Sequence, residues 1–381
     1  MSRLVPFLLI LAVSAAAGFY AQHEVKSRQQ SEILDQAYAR LQLFLDLRKT
    51  ALEDHFKSSA SDVRAMSRTP IIRRAMLSLG SAWVAEGSGA SSRIRKLYVD
   101  ENPHPAGGRD KLDAADASAY SRAHGQLQPW ARQFLQHFGY TDLYLLSLEG
   151  DILYSAKKNA EFTENATTDG LEGSALGYVF SAAKRFRGRR AAVSDFEAYQ
   201  PRDNSPVAFA ASAIPDGNGQ IVGVLAVQMR PSTVEAILDF NQGLGESGET
   251  YVVGADGLMR SQSRFETERT LLKKEVRSES ITRALGGFSG THIITNYRGE
   301  RTLSAYAPLE LQGERWALIA ERGEAEVAGA FDPRWSIAAG LLAALVSALV
   351  LFAFATALLF RPASAREEKR RAMKRARPAA R

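Results

Sequence analysis

The sequence predicts an α+β protein: a long amino-terminal helix carries two small antiparallel-sheet modules, and an apolar membrane-spanning helix flanks them at either end. Three observations lead there. Apolar runs at residues 4–21 and 335–360 enclose a long, mostly polar stretch. Residues 22–66 contain neither proline nor glycine. A short strand–turn–strand pattern occurs twice, at residues 144–155 and 251–262.

The apolar runs come first, because they set the compartment. A hydrocarbon core about 30 Å thick takes roughly 20 helical residues to cross. The run 335–360 exceeds that and holds no charged residue. It predicts a second transmembrane helix, followed by a basic cytoplasmic tail at 361–381. That tail carries nine Lys or Arg against Glu367 and Glu368. Basic residues next to a span stay in the cytoplasm, so the middle of the chain is expected in the periplasm of a bacterial inner-membrane protein. The run 4–21 reads as a first transmembrane helix or uncleaved anchor. Its small residues at 14–18 leave a cleaved signal peptide as the alternative.

Composition narrows the function classes. The formal net charge of +6 comes from the tail, and the rest of the chain is close to neutral. The basicity therefore speaks for topology and anionic lipid, and no nucleic-acid partner is expected. The absence of cysteine excludes disulfides and thiolate metal sites.

The breaker-free stretch 22–66 predicts one stalk helix about 65 Å long. Its apolar residues Ile33, Ala37, Leu41, Phe44, Leu45, Leu52, Phe56, Val63 and Met66 recur at helical spacing. That length and stripe predict a homodimer paired through the stalk. Pro70 predicts a stop, with a short helix over 72–79. Residues 86–92 and 102–109, rich in Gly, Ser and Pro, predict loops. A further helix ends at Phe138.

Strand patterns follow. Residues 142–148 and 152–155 flank Glu149-Gly150-Asp151, a hairpin signature. A helix is predicted over 171–186, strands over 192–199, 207–214 and 221–229, and a helix from Pro231 to Phe240. The pattern at 144–155 returns at 251–262, and the strand pair 207–214/222–229 is echoed by 301–307/315–321. Such repetition predicts two copies of one antiparallel-sheet unit, a distal one over 67–240 and a proximal one over 241–331.

Within this frame the chain resembles a known family. The stretch 243–265, GLGESGETYVVGADGLMRSQSRF, together with LSAYAP at 303–308 and WALIAE at 316–321, resembles the membrane-proximal module of double Cache (dCache) sensor domains. FGYTDLYLL at 138–146 and PVAFAA at 206–211 resemble the membrane-distal one. The resemblance, over roughly residues 24–330, implies two PAS-like modules on a long helix and a small-molecule ligand in the distal one. It places Asp195 at a ligand-binding aspartate of the family and Gln228 where another is expected. Val193 replaces a family tyrosine and the Arg-x-Trp-Tyr cluster is absent, so the resemblance does not carry over an α-amino-acid ligand. Receptors of this kind continue past the second span into relay and effector domains. The absence of these after residue 360 would leave the output to a separate membrane or cytoplasmic partner.

Other motifs recede on inspection. Gly243-x-Gly245-x-x-Gly248 spells a dinucleotide fingerprint, but a predicted helix precedes it and a strand follows, the reverse of what pyrophosphate binding needs. The six histidines show no ligand spacing, and no Gly-x-Ser-x-Gly elbow exposes a nucleophile. No enzyme activity, metal or cofactor is expected. Arg185, Arg187, Arg189 and Arg190 read as a solvated turn. Gln228 stands out as an amide in the apolar strand 221–229. A buried amide costs a few kcal/mol unless hydrogen-bonded, so either a protein group satisfies it or it faces a ligand. Tyr144, Tyr154, Asp195, Tyr199 and Phe209 complete the candidate ligand-binding set. The expectation is a sensory protein, with a ligand-free periplasmic scaffold as its rival.

Overall fold

The computed structural model describes residues 5–239, 243–311, 313–329 and 331–359. The basic segment 361–381 and Phe240 lie outside these. The chain divides into two compact units, residues 38–324 and residues 1–37 with 325–381.

Helix α1 (Val5–Met66) is continuous, so the first apolar run and the breaker-free stretch form one helix. In the larger unit it buries Leu41, Leu45, Leu52, Phe56 and Val63, the stripe expected from spacing. Helix α2 (Pro70–Glu86) follows at once and is longer than 72–79. Pro70 begins this helix, since its missing N–H is unneeded at the first position. Thr69 caps it by accepting from the Ile72 amide. The loop expected over 86–92 is helical instead: a 3-10 turn at Gly87–Gly89 leads into α3 (Ala90–Arg95) and a wider turn at Lys96–Asp100. Burial of Ala90, Ile94 and Tyr98 outweighs the weak helix propensity of that stretch. Helix α4 (Ala119–Phe138) closes the helical part, capped by Ser118.

The first sheet contains β1 (Asp142–Leu146), β2 (Ile152–Ser155), β3 (Ala192–Val193), β5 (Ser205–Pro215) and β6 (Ile221–Met229) in the order β2-β1-β6-β5-β3, with β4 (Glu197–Tyr199) also pairing β5. Helix α5 (Ala175–Phe186) begins four residues later than expected, behind its Ser174 cap. The strand expected over 192–199 is broken. Ser194 Oγ accepts from the Phe209 amide at 2.9 Å, so the chain turns out of the ladder before β4. Gly223 on β6 has to be glycine, because a Cβ there would lie 2.5 Å from Met76 Sδ of α2 and 2.7 Å from the Leu146 carbonyl.

Helix α6 (Pro231–Leu238) precedes the second sheet, built from β7 (Glu249–Val253), β8 (Gly290–Thr295), β9 (Arg301–Leu311) and β10 (Glu314–Gly323) in the order β7-β10-β9-β8. This matches β1-β6-β5-β3 of the first sheet position for position, the repeat seen in the sequence. Its core joins Tyr251, Val253, Ala317 and Ile319, alternate residues of facing strands, to Ile281 and Ala284 of α7 (Glu279–Leu285). The period-2 pattern puts one side of each strand on that helix.

In the smaller unit, α8 (Glu324–Gly329) precedes α9 (Pro333–Leu359). Gly18 of α1 and Gly340 of α9 meet: a Cβ on Gly18 would sit 2.8 Å from the Gly340 carbonyl oxygen. Such small-residue crossings let helix backbones approach in lipid. Both α1, from Leu8, and α9, over Pro333–Ala357, are long and apolar enough to cross a membrane.

Candidate functional site

The register of the first sheet collects a polar cluster on one face. Gln228 lies opposite Asp142 of β1 and opposite Phe209 of β5. Tyr144 is two residues along from Asp142 and therefore shares its face. Phe209 stands between Tyr144, at 5.9 Å, and Tyr199 of β4, at 5.3 Å, each ring edge to face. Tyr144, Gln228, Tyr199 and Phe209 are thus brought together, and all are buried.

Glu161, absent from the sequence expectations, joins them from the segment after β2. The Tyr144 hydroxyl donates to its Oε1. Burial, reinforced by the charge of Asp142, pushes the Glu161 carboxyl up to about 7. Burial and then the charge of Glu161 also raise the Tyr199 phenol. Gln228 Oε1 accepts from Thr141 Oγ1 at 3.1 Å and from Arg202 Nη1 at 3.3 Å. Three buried atoms of the cluster, Gln228 Nε2, Tyr199 OH and Glu161 Oε2, have no hydrogen-bond partner. Each such group costs about 1–3 kcal/mol if left dry.

Thr141 and Arg202 also line a cleft of about 540 Å³, together with Asp110, Arg132, Lys157, Asn159 and Arg230. Arg202 is set there by the turn between β4 and β5, where Asp203 and Asn204 take left-handed backbone angles (φ 51° and 56°). Short polar residues tolerate that region best.

Two of the expected residues lie elsewhere. Tyr154 pairs with Leu145, which puts it on the opposite face from Tyr144. Its hydroxyl donates to Gln128 Oε1 of α4 at 2.6 Å, and Lys158 Nζ donates to the same oxygen at 2.7 Å. Burial, opposed by the charge of Asp142, pulls the Lys158 amine down to about 7.

Asp195, in the break between β3 and β4, turns to the second module. Arg260 donates to both its oxygens, Nε at 2.9 Å and Nη2 at 2.8 Å, and Trp316 Nε1 of β10 donates to Oδ1 at 3.0 Å. Trp316 packs between Phe196, at 6.0 Å, and Phe56 of α1, at 5.5 Å. This aspartate therefore joins the two modules. Neither its partners nor Glu161 could be read from the sequence, since both contacts span loops without periodicity. The paired left-handed turn at Asp203-Asn204 was the one local signature that could have drawn attention to Arg202.

In the second module, Tyr251 donates to Glu321 Oε1 at 2.7 Å, and burial pushes the Glu321 carboxyl up to about 7. Among the described residues no group of three or more His, Asp or Glu is placed to hold a metal ion.

Comparison with known proteins bears on this arrangement. The sequence profile of the family described as "Cache domain" matches residues 24–331. A probable chemoreceptor of Sinorhizobium fredii, y4sI, is 26% identical over 214 residues, which cover 54% of this chain and 25% of that protein. This chain thus spans about a quarter of that relative. Among solved structures, the sensor domain of the Vibrio cholerae histidine kinase DctB is 12% identical with a TM-score of 0.44, covering 78% of this chain and 99% of that one. The ligand-binding domain of the Pseudomonas aeruginosa chemoreceptor PctB, in complex with L-Arg, is 19% identical with a TM-score of 0.38, covering 67% and 97%.

Proposed function

The chain belongs to the Cache domain family, and on that footing we propose that it is a membrane-anchored sensory protein whose first module binds a small molecule. The observation that carries this reading is the trio of unpartnered buried atoms on one sheet face, Gln228 Nε2, Tyr199 OH and Glu161 Oε2. Buried polar groups are almost always satisfied, and a ligand supplying complementary groups would satisfy these three at once. The neighbouring cleft, reached through Thr141 and Arg202, gives an entry. Of the expected set, Gln228, Tyr144, Tyr199 and Phe209 belong to this site, with Glu161 added.

The large domain lies in the periplasm on this reading. The two apolar helices support it, as does the basic segment 361–381 by the positive-inside rule. Ligand binding shifts the balance between two conformations of the domain. The route outward runs from β4, which carries Tyr199, through Asp195 just ahead of that strand to Arg260 and Trp316, and β10 continues in sequence into α8 and α9. A thermal-stability screen of the full-length protein in detergent against soluble metabolites tests this. A ligand that binds only the native state stabilises by RT ln(1 + [L]/Kd), so at least one compound raises Tm. No response to any compound would favour the scaffold reading.

The same reading includes a homodimer through α1. Leu43 and Leu47, one turn apart, are 59% and 53% exposed on this helix, beyond the stripe that packs on its own domain. Single cysteines introduced over residues 36–50 of the naturally cysteine-free chain are expected to crosslink between subunits with a period near about 3.5, strongest at Leu43 and Leu47. Uniform or absent crosslinking would leave α1 a helix of one subunit alone.

A further inference from the structure

The cleft beside Gln228 has a marked imbalance between donors and acceptors. Arg132, Lys157, Arg202 and Arg230 line it against a single carboxylate, Asp110. That carboxylate is already paired with Lys157 at 2.7 Å, and Arg132 is paired with Asp113 at 2.6 Å. Among the described residues Arg202 makes one hydrogen bond, to the neutral Gln228 Oε1, and Arg230 makes none. Among the described residues neither guanidinium group is in an ion pair, and only the buried Glu161 carboxyl acts on Arg202 through its charge.

The buried carboxylate beside Gln228 is saturated. Asp142, the buried carboxylate opposite Gln228, takes the Leu143 amide at 2.7 Å, Ser155 Oγ at 2.8 Å, the Lys157 amide at 3.1 Å and Asn159 Nδ2 at 3.2 Å. Four donors fill a carboxylate, leaving nothing for an ammonium group. The amide of Gln228 offers a free donor, Nε2. Glu161 Oε2 is open as well, and its raised proton affinity lets it donate when protonated. The lining is thus weighted toward donors and positive charge, four cationic side chains against one carboxylate.

Resting on the reading of this module as the ligand-binding one, we propose that its ligand is a small organic anion with one or more carboxylates and no ammonium group. Its charge sits on Arg202 and Arg230, and an acceptor atom meets Gln228 Nε2. Guanidinium groups bind carboxylates in a planar, two-bond geometry that an amine-binding site would not need.

The test is calorimetry on the full-length protein in detergent with acetate, succinate and citrate, against L-alanine as a zwitterion and choline as a cation. At least one carboxylate is expected to bind, and L-alanine and choline are not. Arg202→Gln should weaken that carboxylate at least about tenfold, the loss of a charge-assisted bond, with Arg202→Lys recovering part of it. The melting temperature of the empty protein should stay unchanged in both variants, which separates a lost contact from a lost fold. Arg185→Gln, in the basic turn after α5, should have no effect. Binding of choline or L-alanine in place of the carboxylates overturns the proposal, as does unchanged carboxylate affinity in Arg202→Gln combined with Arg230→Gln. If only neutral compounds from the broader metabolite screen bind, the anion assignment fails while the ligand-binding reading survives. If nothing in that screen binds, both fail.

Discussion

Replacing Asp195 with alanine is expected to destabilise the large domain by about 2–3 kcal/mol, below the full effect of breaking a buried ion pair because the Asp195 side chain is 23% exposed. Arg260 is 4% exposed, and the substitution strips it of two hydrogen bonds while leaving only Asp256 as a charged partner. The Trp316 indole, fully buried, loses its acceptor as well. Asp195→Asn should be milder, because an amide oxygen still accepts from Trp316. Urea unfolding of the two variants measures the difference. A residue that served only the ligand would leave the empty protein as stable as the parent, so equal midpoints for parent and Asp195→Ala would remove Asp195 from the junction between modules. The outcome also bears on transmission. If the modules communicate through this junction, Asp195→Ala should additionally uncouple them, seen as two unfolding transitions where the parent shows one.

Glu161→Gln should stabilise the unliganded protein progressively as pH rises from about 4.5 to about 7, by up to about 3 kcal/mol, and by a constant amount above that. The folded carboxyl holds its proton up to about 7, whereas an unfolded glutamate releases it near 4.3. Between those values the native state binds more protons than the unfolded state, so the stability of the parent falls with rising pH. Glutamine keeps an acceptor for the Tyr144 hydroxyl and removes the charge, so it escapes the fall. Glu321→Gln should behave alike in the second module, because Glu321 is also raised to about 7 by burial. Lys158→Met should show the opposite sense. A buried lysine lowered to about 7 destabilises the native state while charged, so the advantage of the variant is greatest below that pH and fades as pH rises toward the unfolded pKa. Buried His124, held well below its ordinary value by burial and then by the charge of Lys158, adds its own loss of stability in acid. The diagnostic quantity is therefore the difference between each variant and the parent across pH, followed by thermal unfolding. A pH-independent difference for Glu161→Gln would mean that the carboxyl is hydrated and ionised in the folded protein.

The parts of the fold that depend on neighbours in the chain were legible from the residues alone. Helical spacing over 22–66 marked the stripe of α1 that is buried, because side chains at i, i+4 and i+7 share a face whatever lies opposite. The repeated strand pattern announced two sheets of matching order, and the resemblance to double Cache domains was confirmed over residues 24–331. Local signals failed where packing overrode them. The small, polar stretch 86–92 reads as a loop, yet Ala90 and Ile94 are buried in a helix. The strand over 192–199 breaks because one serine side chain replaces a ladder bond.

For the site, the sequence found residues and only the tertiary structure found partners. Gln228 was conspicuous as an amide in an apolar strand, and it does lie buried with one nitrogen unpaired. Tyr154 and Tyr144 looked equivalent in sequence, but pairing register decides which face a strand residue occupies, and it sends them to opposite sides. Glu161, Arg202 and the Arg260 partner of Asp195 come from turns and loops, whose direction is set by long-range contacts that no short-range pattern encodes. Charge and hydrogen-bond complementarity are properties of side chains brought together across 26 positions, as for Arg202 and Gln228, or 65, as for Asp195 and Arg260. At those separations only the folded chain decides which groups meet.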